Sequence, residues 1–433
     1  MSDVVSLASC FAVAMSCGTL YVYSAYAPQL SDRLGLTATQ LSNIGMVGNL
    51  AMSGTGPLAG MVTDRYGYTA PIATSGIATF AGYYTVRTVY ANSIPSPAIL
   101  ALALFLVGVG STFAFSASVK CAAVKFPGNR GFATAMPMAG YGLAAFMISS
   151  IANWAVPGDP LGFLSLLCFV PAALIVIFGP VVVYSEPKQQ TRPKEYDDDY
   201  IGLVNLDNAS RPVPSTTPAR LKREIYGTAL LRSPLFYGYS LLLGLLAAMG
   251  QAYIYNCGYI VKALAFNEVE HEWQAKQVAI LSAANFSGRV LAGVVSDIFR
   301  IHLRKSRTYT IIFSVALCFA AQIACMNVQS VQSLWIPSAL SGLFYGYCYG
   351  GFPGVVGDAF GVSHFSANWG IVALSPVPIS YFLSTRLGHT YDSHAHDGLC
   401  LGTQCFKDAF QLHAYLACAA LILTLFIIRR LER

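Results

Sequence analysis

Residues 60–67 read Gly60-Met-Val-Thr-Asp64-Arg65-Tyr-Gly67, and residues 293–297 read Gly293-Val-Val-Ser-Asp297. Each keeps a glycine with an aspartate four residues on, and the second follows the first by 233 positions. Two more matches run in the same order at nearly the same offset. Tyr21-Val-Tyr23-Ser recurs as Tyr253-Ile-Tyr255-Asn, 232 later, and Phe126 recurs as Phe360, 234 later. Each match alone is weak, but three at nearly one spacing read as duplication of a single unit.

Apolar runs surround these stretches at about 4–30, 41–62, 70–90, 97–119, 131–155 and 161–184, then at about 233–262, 276–296, 308–328, 334–357, 364–388 and 408–428. Each is near the roughly 20 apolar residues that a membrane-spanning helix needs. Hydrophobic residues make up 55% of the chain and charged residues 11%, against about a quarter charged in an ordinary soluble domain. That balance excludes a water-soluble enzyme, a fibrous protein and a disordered one. The expected fold is an all-α membrane protein of twelve transmembrane helices in two pseudo-symmetric six-helix halves. The halves are 1–184 and 233–433, joined by a linker at 185–232. Two such repeats enclosing a site near the bilayer midplane is a known architecture of secondary transporters.

The linker carries Pro187, Pro193, Pro212, Pro214 and Pro218 and the acidic run Asp197–Asp199, a composition that favours disorder. Its end, Ala219–Leu231, reads either as a short helix on the membrane surface or as a basic stop before the seventh span. The net charge is +6. With even-numbered loops placed inside, 19 basic residues fall on the inner side and 6 on the outer, with Arg289 left inside a helix. This bias puts both termini in the cytoplasm, so the charge marks topology and no nucleic-acid partner is expected. The apolar N-terminus has no basic n-region and is read as the first span. Plasma membrane and vacuolar membrane both suit the chain.

Gly60-x-x-x-Asp64-Arg65-x-Gly67 after the second span resembles the loop signature of the major facilitator superfamily, and the reduced copy at Gly293 and Asp297 fits it too. Several stretches resemble the fungal nodulin-like branch, which is similar to the monocarboxylate-transporter and oxalate–formate groups. They are Tyr253-Ile-Tyr255-Asn-Cys-Gly-Tyr-Ile-Val-Lys262, Asn285-Phe-Ser-Gly-Arg289-Val, Phe365-Ser-Ala-Asn-Trp369-Gly and Cys400-x-x-x-x-Cys405. The resemblance implies a secondary carrier that works by alternating access. A tight inner turn needs glycine, and an aspartate there can accept from N–H groups at a neighbouring helix start. Gly60, Asp64, Arg65, Gly293 and Asp297 are therefore expected to form a latch that closes the inward end.

Arg289 is the most informative single residue. An arginine at membrane depth is costly unless it faces a wet cavity or a partner, and its fork of donors matches a carboxylate. The resemblance implies that it holds substrate, since monocarboxylate transporters place an essential arginine in the eighth span. The alternative is a structural arginine that pairs with Asp297 or with backbone carbonyls. Two departures stand against a close match. The position one turn earlier is Asn285 where those transporters carry an aspartate, and the first span has no lysine. No carboxylate lies in the middle of any span, so anion binding is better supported than proton symport.

Tyrosines give apolar walls with orienting hydroxyls. Those expected at the cavity are Tyr23 and Tyr255, related by the repeat, and Tyr345 and Tyr349, one turn apart. Gly342, Gly346, Gly350 and Gly354 make one face of the tenth span smooth, for sliding or close packing. In the polar outer loop, Cys400 and Cys405 are read as a disulfide, because the spacing with His389, His394 and His396 matches no zinc pattern. No metal, cofactor or enzymatic motif is expected. The partners expected are a small organic anion and the bilayer, with the chain a monomer. Two other readings stay open: a carrier of a neutral or cationic metabolite, and a non-transporting membrane sensor or scaffold.

Overall fold

The structure, a computed structural model, describes residues 3–36, 38–156, 159–186, 224–265, 270–394 and 400–432. All regular structure among them is helical. The first span is α1 (Asp3–Cys17), a 3-10 turn (Gly18–Val22) and α2 (Tyr23–Leu34); the second is α3 (Ala38–Gly54) and α4 (Gly56–Tyr66). Then come α5 (Thr69–Ala91), α6 (Pro97–Lys125), α7 (Arg130–Ala155) and α8 (Pro160–Tyr184). After the linker, a single turn α9 (Thr228–Leu231) precedes α10 (Pro234–Leu264), α11 (Glu270–Ile301), α12 (Ile311–Asn327) and α13 (Trp335–Phe360). The eleventh span is α14 (Phe365–Val372) with α15 (Pro376–Ser393), and α16 (Lys407–Glu432) is the twelfth. Most of the linker, including Pro187, the Asp197–Asp199 run and Ala219–Arg223, lies outside the described residues.

Eight of these helices are long and apolar enough to cross a membrane by length and composition. Their starts follow local chemistry. Ser96 accepts from the Ile99 N–H with Pro97 in the first turn, and Asp159 accepts from the Leu161 N–H with Pro160 after it. Each acceptor satisfies one orphan donor, and each proline occupies a position that needs none.

The glycine ladder of α13 packs closely against the backbone of α11. A Cβ at Gly342 would meet the Leu281 carbonyl oxygen at 2.4 Å, at Gly346 that of Asn285 at 2.0 Å, and at Gly350 that of Arg289 at 2.5 Å. Gly354 leaves this series and faces Arg307. The face is thus a seam of backbone against backbone, as small residues permit in lipid.

Two of the helix pairs that join the halves, α4 with α14 and α7 with α11, carry the repeated glycines. On one, a Cβ at Gly60 of α4 would meet the Ser366 carbonyl oxygen of α14 at 2.3 Å. On the other, a Cβ at Gly293 of α11 would meet the Ala135 Cβ of α7 at 2.6 Å. These glycines therefore serve close approach between halves. Gly60 sits within α4 rather than in a loop, and the turn is made by Gly67, whose φ of +74° suits glycine.

Candidate functional site

A cavity of about 130 Å³ lies between the halves, lined by Tyr21, Ser53, Gly56, Ser116, Met138 and Tyr141 from the first and by Gln251, Arg289, Tyr345, Tyr349, Trp369 and Pro376 from the second, among others. The chain's helix interruptions border it. Tyr21 belongs to the 3-10 turn in the first span, Gly56 starts α4, and Ala373 and Pro376 flank the break between α14 and α15. Irregular backbone at membrane depth is tolerated where it lines such a space.

Arg289 is the one charged side chain lining the cavity among the described residues, and it is 2% exposed. Its Nε donates to Asn285 Oδ1 one turn back at 2.9 Å. An Nη donates to the Met138 carbonyl of α7, across the interface between halves. The guanidinium lies 5.9 Å from the Tyr141 ring and 5.8 Å from the Tyr349 ring, within cation–π range. No carboxylate pairs with it among the described residues. Asp297, the partner that the spacing offered, is engaged elsewhere.

Tyr345 and Tyr349 line the cavity, with rings 4.9 Å apart. Tyr23 does not. Its ring covers Gly45 and packs edge-on to Tyr26 within the first half. Tyr21, two positions earlier and so on nearly the opposite side of the helical turn, lines the cavity in its place. Tyr255 is half-exposed and does not line the cavity. The repeat partner of Tyr21 is Tyr253, which is buried in the second half with its hydroxyl 2.7 Å from Ser338 Oγ. The duplication therefore preserved the tyrosines and not their directions.

At one end of the molecule, the latch face, Asp64 in the last turn of α4 and Asp297 near the end of α11 lie within helices rather than loops, and each caps a helix of the opposite half. Asp64 Oδ2 accepts from the Ala367 N–H of α14 at 2.8 Å, and Oδ1 pairs with Lys120 at 2.6 Å. Asp297 accepts from the Gly131 and Phe132 N–H groups of α7 at 2.9 and 2.8 Å. It also pairs at 2.7 Å with Arg307, which is 2% exposed. Arg307 reaches Asp358 as well, and Arg130 joins Asp358 at 3.4 Å. Carboxylates at helix N-termini meet both the free donors and the positive dipole end. Arg65 stands apart: it is exposed and lies over the Tyr66 ring. Lys120, Arg307 and Asp358 carry the pairing instead. In the sequence, Lys120 and Arg307 read only as topology markers, and Asp358 only as a carboxylate near the end of a span.

At the other end, Cys400 and Cys405 are joined in a disulfide bond. His394 Nδ1 lies 2.9 Å from the Thr390 carbonyl oxygen, while His396 is outside the described residues. No group of three or more metal-ligating side chains occurs among the described residues.

Residues 9–382 match the family model described as Major Facilitator Superfamily. A Saccharomyces cerevisiae protein named an uncharacterized membrane protein is 25% identical, over 96% of this chain and 92% of its own. The Wickerhamomyces anomalus protein named "Probable transporter MCH1" is 26% identical, over 90% of this chain and 79% of its own. Among solved structures, the Escherichia coli fucose:proton symporter FucP aligns at a TM-score of 0.62 and 12% identity, over 96% of this chain and 98% of that one. The proton:xylose symporter XylE aligns at 0.64 and 12%, over 99% and 97%. Likeness at that identity is likeness of fold.

Proposed function

The chain belongs to the Major Facilitator Superfamily of multi-pass membrane transporters, and from that premise we propose that it carries a small organic anion, in the simplest case a monocarboxylate, by alternating access. The single observation that supports this most is Arg289. It is a buried guanidinium without a carboxylate partner among the described residues, on the wall of the cavity between the halves. A charge so placed is stabilised by an anion that enters the cavity. Asn285 orients the guanidinium from one turn back, and Tyr345 and Tyr349 form the wall beside it.

The finer affiliation that goes with this reading is the nodulin-like branch near the monocarboxylate transporters. In it, residues 1–184 and 233–433 are the moving halves, the linker at 185–232 and both termini are cytoplasmic, and the carrier is a monomer. Asp64 and Asp297, with Gly60 and Gly293 beneath them, latch the cytoplasmic end shut. Opening requires Asp64 to leave α14 and Asp297 to leave α7.

A second reading rests on the Met138 contact. Arg289 already donates to a carbonyl and an amide, as a purely structural strut would, and then the substrate is a neutral or cationic metabolite. Uptake of labelled pyruvate and lactate into proteoliposomes, with and without an imposed pH gradient, separates the two. Uptake of either acid supports the anion reading, and acceleration by the gradient adds proton coupling. No uptake of either acid by folded protein, together with no inhibition by anions of any substrate that is carried, overturns it in favour of the second.

A further inference from the structure

We infer that the last residues of the linker, Glu224–Tyr226, form a strap that positions the inward gate. The inference rests on the latch reading of Asp64 given above. The strap runs across the turn between α13 and α14, residues 361–364. The Ile225 N–H donates to the Phe360 carbonyl at 3.0 Å, and the Ile225 carbonyl accepts from Asn368 Nδ2 at 2.9 Å. Glu224 Oε1 accepts from the Ser363 N–H at 3.3 Å and from its hydroxyl at 2.6 Å. The Tyr226 ring stacks on His364 with centroids 3.8 Å apart. Gly361 has a φ of +93°, and a Cβ there would meet Glu224 Cγ at 2.8 Å. The strap thus fits a turn that only glycine makes comfortably. The side chain of Ile225 packs on the core of the second half, where a surface helix would have laid it on lipid.

The same turn carries the latch contacts. Its Ser363 carbonyl faces Lys120 Nζ at 3.5 Å, and α14, which it launches, presents the Ala367 N–H to Asp64. One side of the turn is therefore held by the first half and the other by the strap. When the gate opens, the first half leaves and the strap stays, because it is continuous with α10. Its part is to keep the turn in the shape that lets Asp64 and Lys120 re-dock. Glu224, Ile225 and Tyr226 are positioning residues for the closed state. The linker joins the strap directly at Glu224, so a pull on the linker reaches the gate through it.

The test reads gate opening without any substrate. A cysteine placed at Ser116, which lines the cavity and accepts from Thr63 of α4, is labelled with a membrane-impermeant maleimide applied at the latch face. A second probe, Tyr255→Cys, lies nearer the opposite end of α10 and is labelled from the opposite face. The chain without either probe gives the background from its own thiols. Glu224→Ala is expected to raise labelling at position 116 about fivefold, the scale for losing one solvent-screened hydrogen-bonded carboxylate, and to lower labelling at position 255. Glu224→Gln, whose amide oxygen still accepts from Ser363, is expected to change both rates less. Tyr226→Ala is expected to act in the same direction as Glu224→Ala. A merely destabilising substitution raises labelling at both probes and does not give this opposed pair. Asp64→Asn serves as the reference for an open latch. If Asp64→Asn shifts both rates and Glu224→Ala shifts neither, the strap is refuted and the latch stands. If Asp64→Asn shifts neither, the latch reading fails and the strap falls with it.

Discussion

Replacing Arg289 by glutamine tests the anion site directly. The change removes the positive charge and the cation–π contacts with Tyr141 and Tyr349 while keeping an amide of similar reach. Truncating one partner of a buried hydrogen-bonded charge pair costs about 2–5 kcal/mol, or roughly thirtyfold to several-thousandfold in affinity. The structure argues for the middle of that range. The Arg289 Nε is committed to Asn285 and an Nη to Met138, so a carboxylate meets the remaining edge of the fork and not all of it. The expected loss is about a hundredfold, near 3 kcal/mol. Folding suffers less, because one carbonyl and one amide each lose a partner, at about 1 kcal/mol apiece. Arg289→Lys, which keeps the charge as a point, is expected to lose only about tenfold for the same reason. Pyruvate titrated against the fluorescence of Trp369, which lines the cavity, reads affinity, and proteoliposome uptake reads transport. A glutamine variant that binds and carries pyruvate like the unaltered chain refutes the carboxylate site.

Two other outcomes follow from the geometry and a third from the sequence. Asp297→Asn removes a partner of Arg307, which is buried, and is expected to lower stability by about 3 kcal/mol; Asp64→Asn, paired with the less buried Lys120, is expected to cost less, and thermal unfolding in detergent orders them. Gly346→Ala puts a Cβ 2.0 Å from the Asn285 carbonyl oxygen and should force α13 from α11 at about 1–3 kcal/mol, abolishing uptake, whereas Gly351→Ala, 3.7 Å from Ala292 Cβ, should be tolerated; parallel uptake and unfolding curves check the pair. From the inner-side bias of the basic residues, epitope tags at either end of the chain should be reached only after permeabilisation, and Asn208, which starts an Asn-Ala-Ser glycosylation sequon in the linker, should remain unglycosylated, which a gel shift reads.

The spans were legible in the sequence because lipid demands long apolar runs, and the family was legible because a glycine and an aspartate four apart recur at one offset. Directions within a span were harder. Tyr21 rather than Tyr23 meets the cavity; two positions apart on a helical turn they point to nearly opposite sides, and since the repeat keeps both, no local pattern says which one faces inward. Pairings between distant spans were harder still. Lys120 with Asp64, and Arg307 with Asp297 and Asp358, depend on which helices adjoin. The basic residues at span ends read equally well as topology markers. Ile225, a turn from Leu221 in a stretch that read either as a surface helix or as a basic stop, instead spends its backbone on Phe360 and Asn368.

The duplication is kept at the gate and abandoned at the cavity, and the chemistry of each explains why. A gate closed on both sides needs a carboxylate from each half against a helix start of the other, and Asp64 and Asp297 supply that pair. On the anion reading proposed above, the cavity needs one cation for one anion. At the repeat offset that relates the aspartates, the counterpart of Arg289 is Gly56. There, backbone faces backbone: a Cβ at Gly370 would lie 2.5 Å from the Gly56 carbonyl oxygen, while a Cβ at Gly56 itself would meet Gly370 at an ordinary 3.5 Å. Asn285, the orienting residue, corresponds to Met52, whose sulfur takes the Tyr141 hydroxyl. One half thus contributes a charged arm that crosses to Met138, and the other a smooth wall against which the cavity closes. A second arginine at that position would set two like charges in one small cavity of low dielectric, where their repulsion is weakly screened. The single-armed arrangement is the one that an anion of one charge can neutralise.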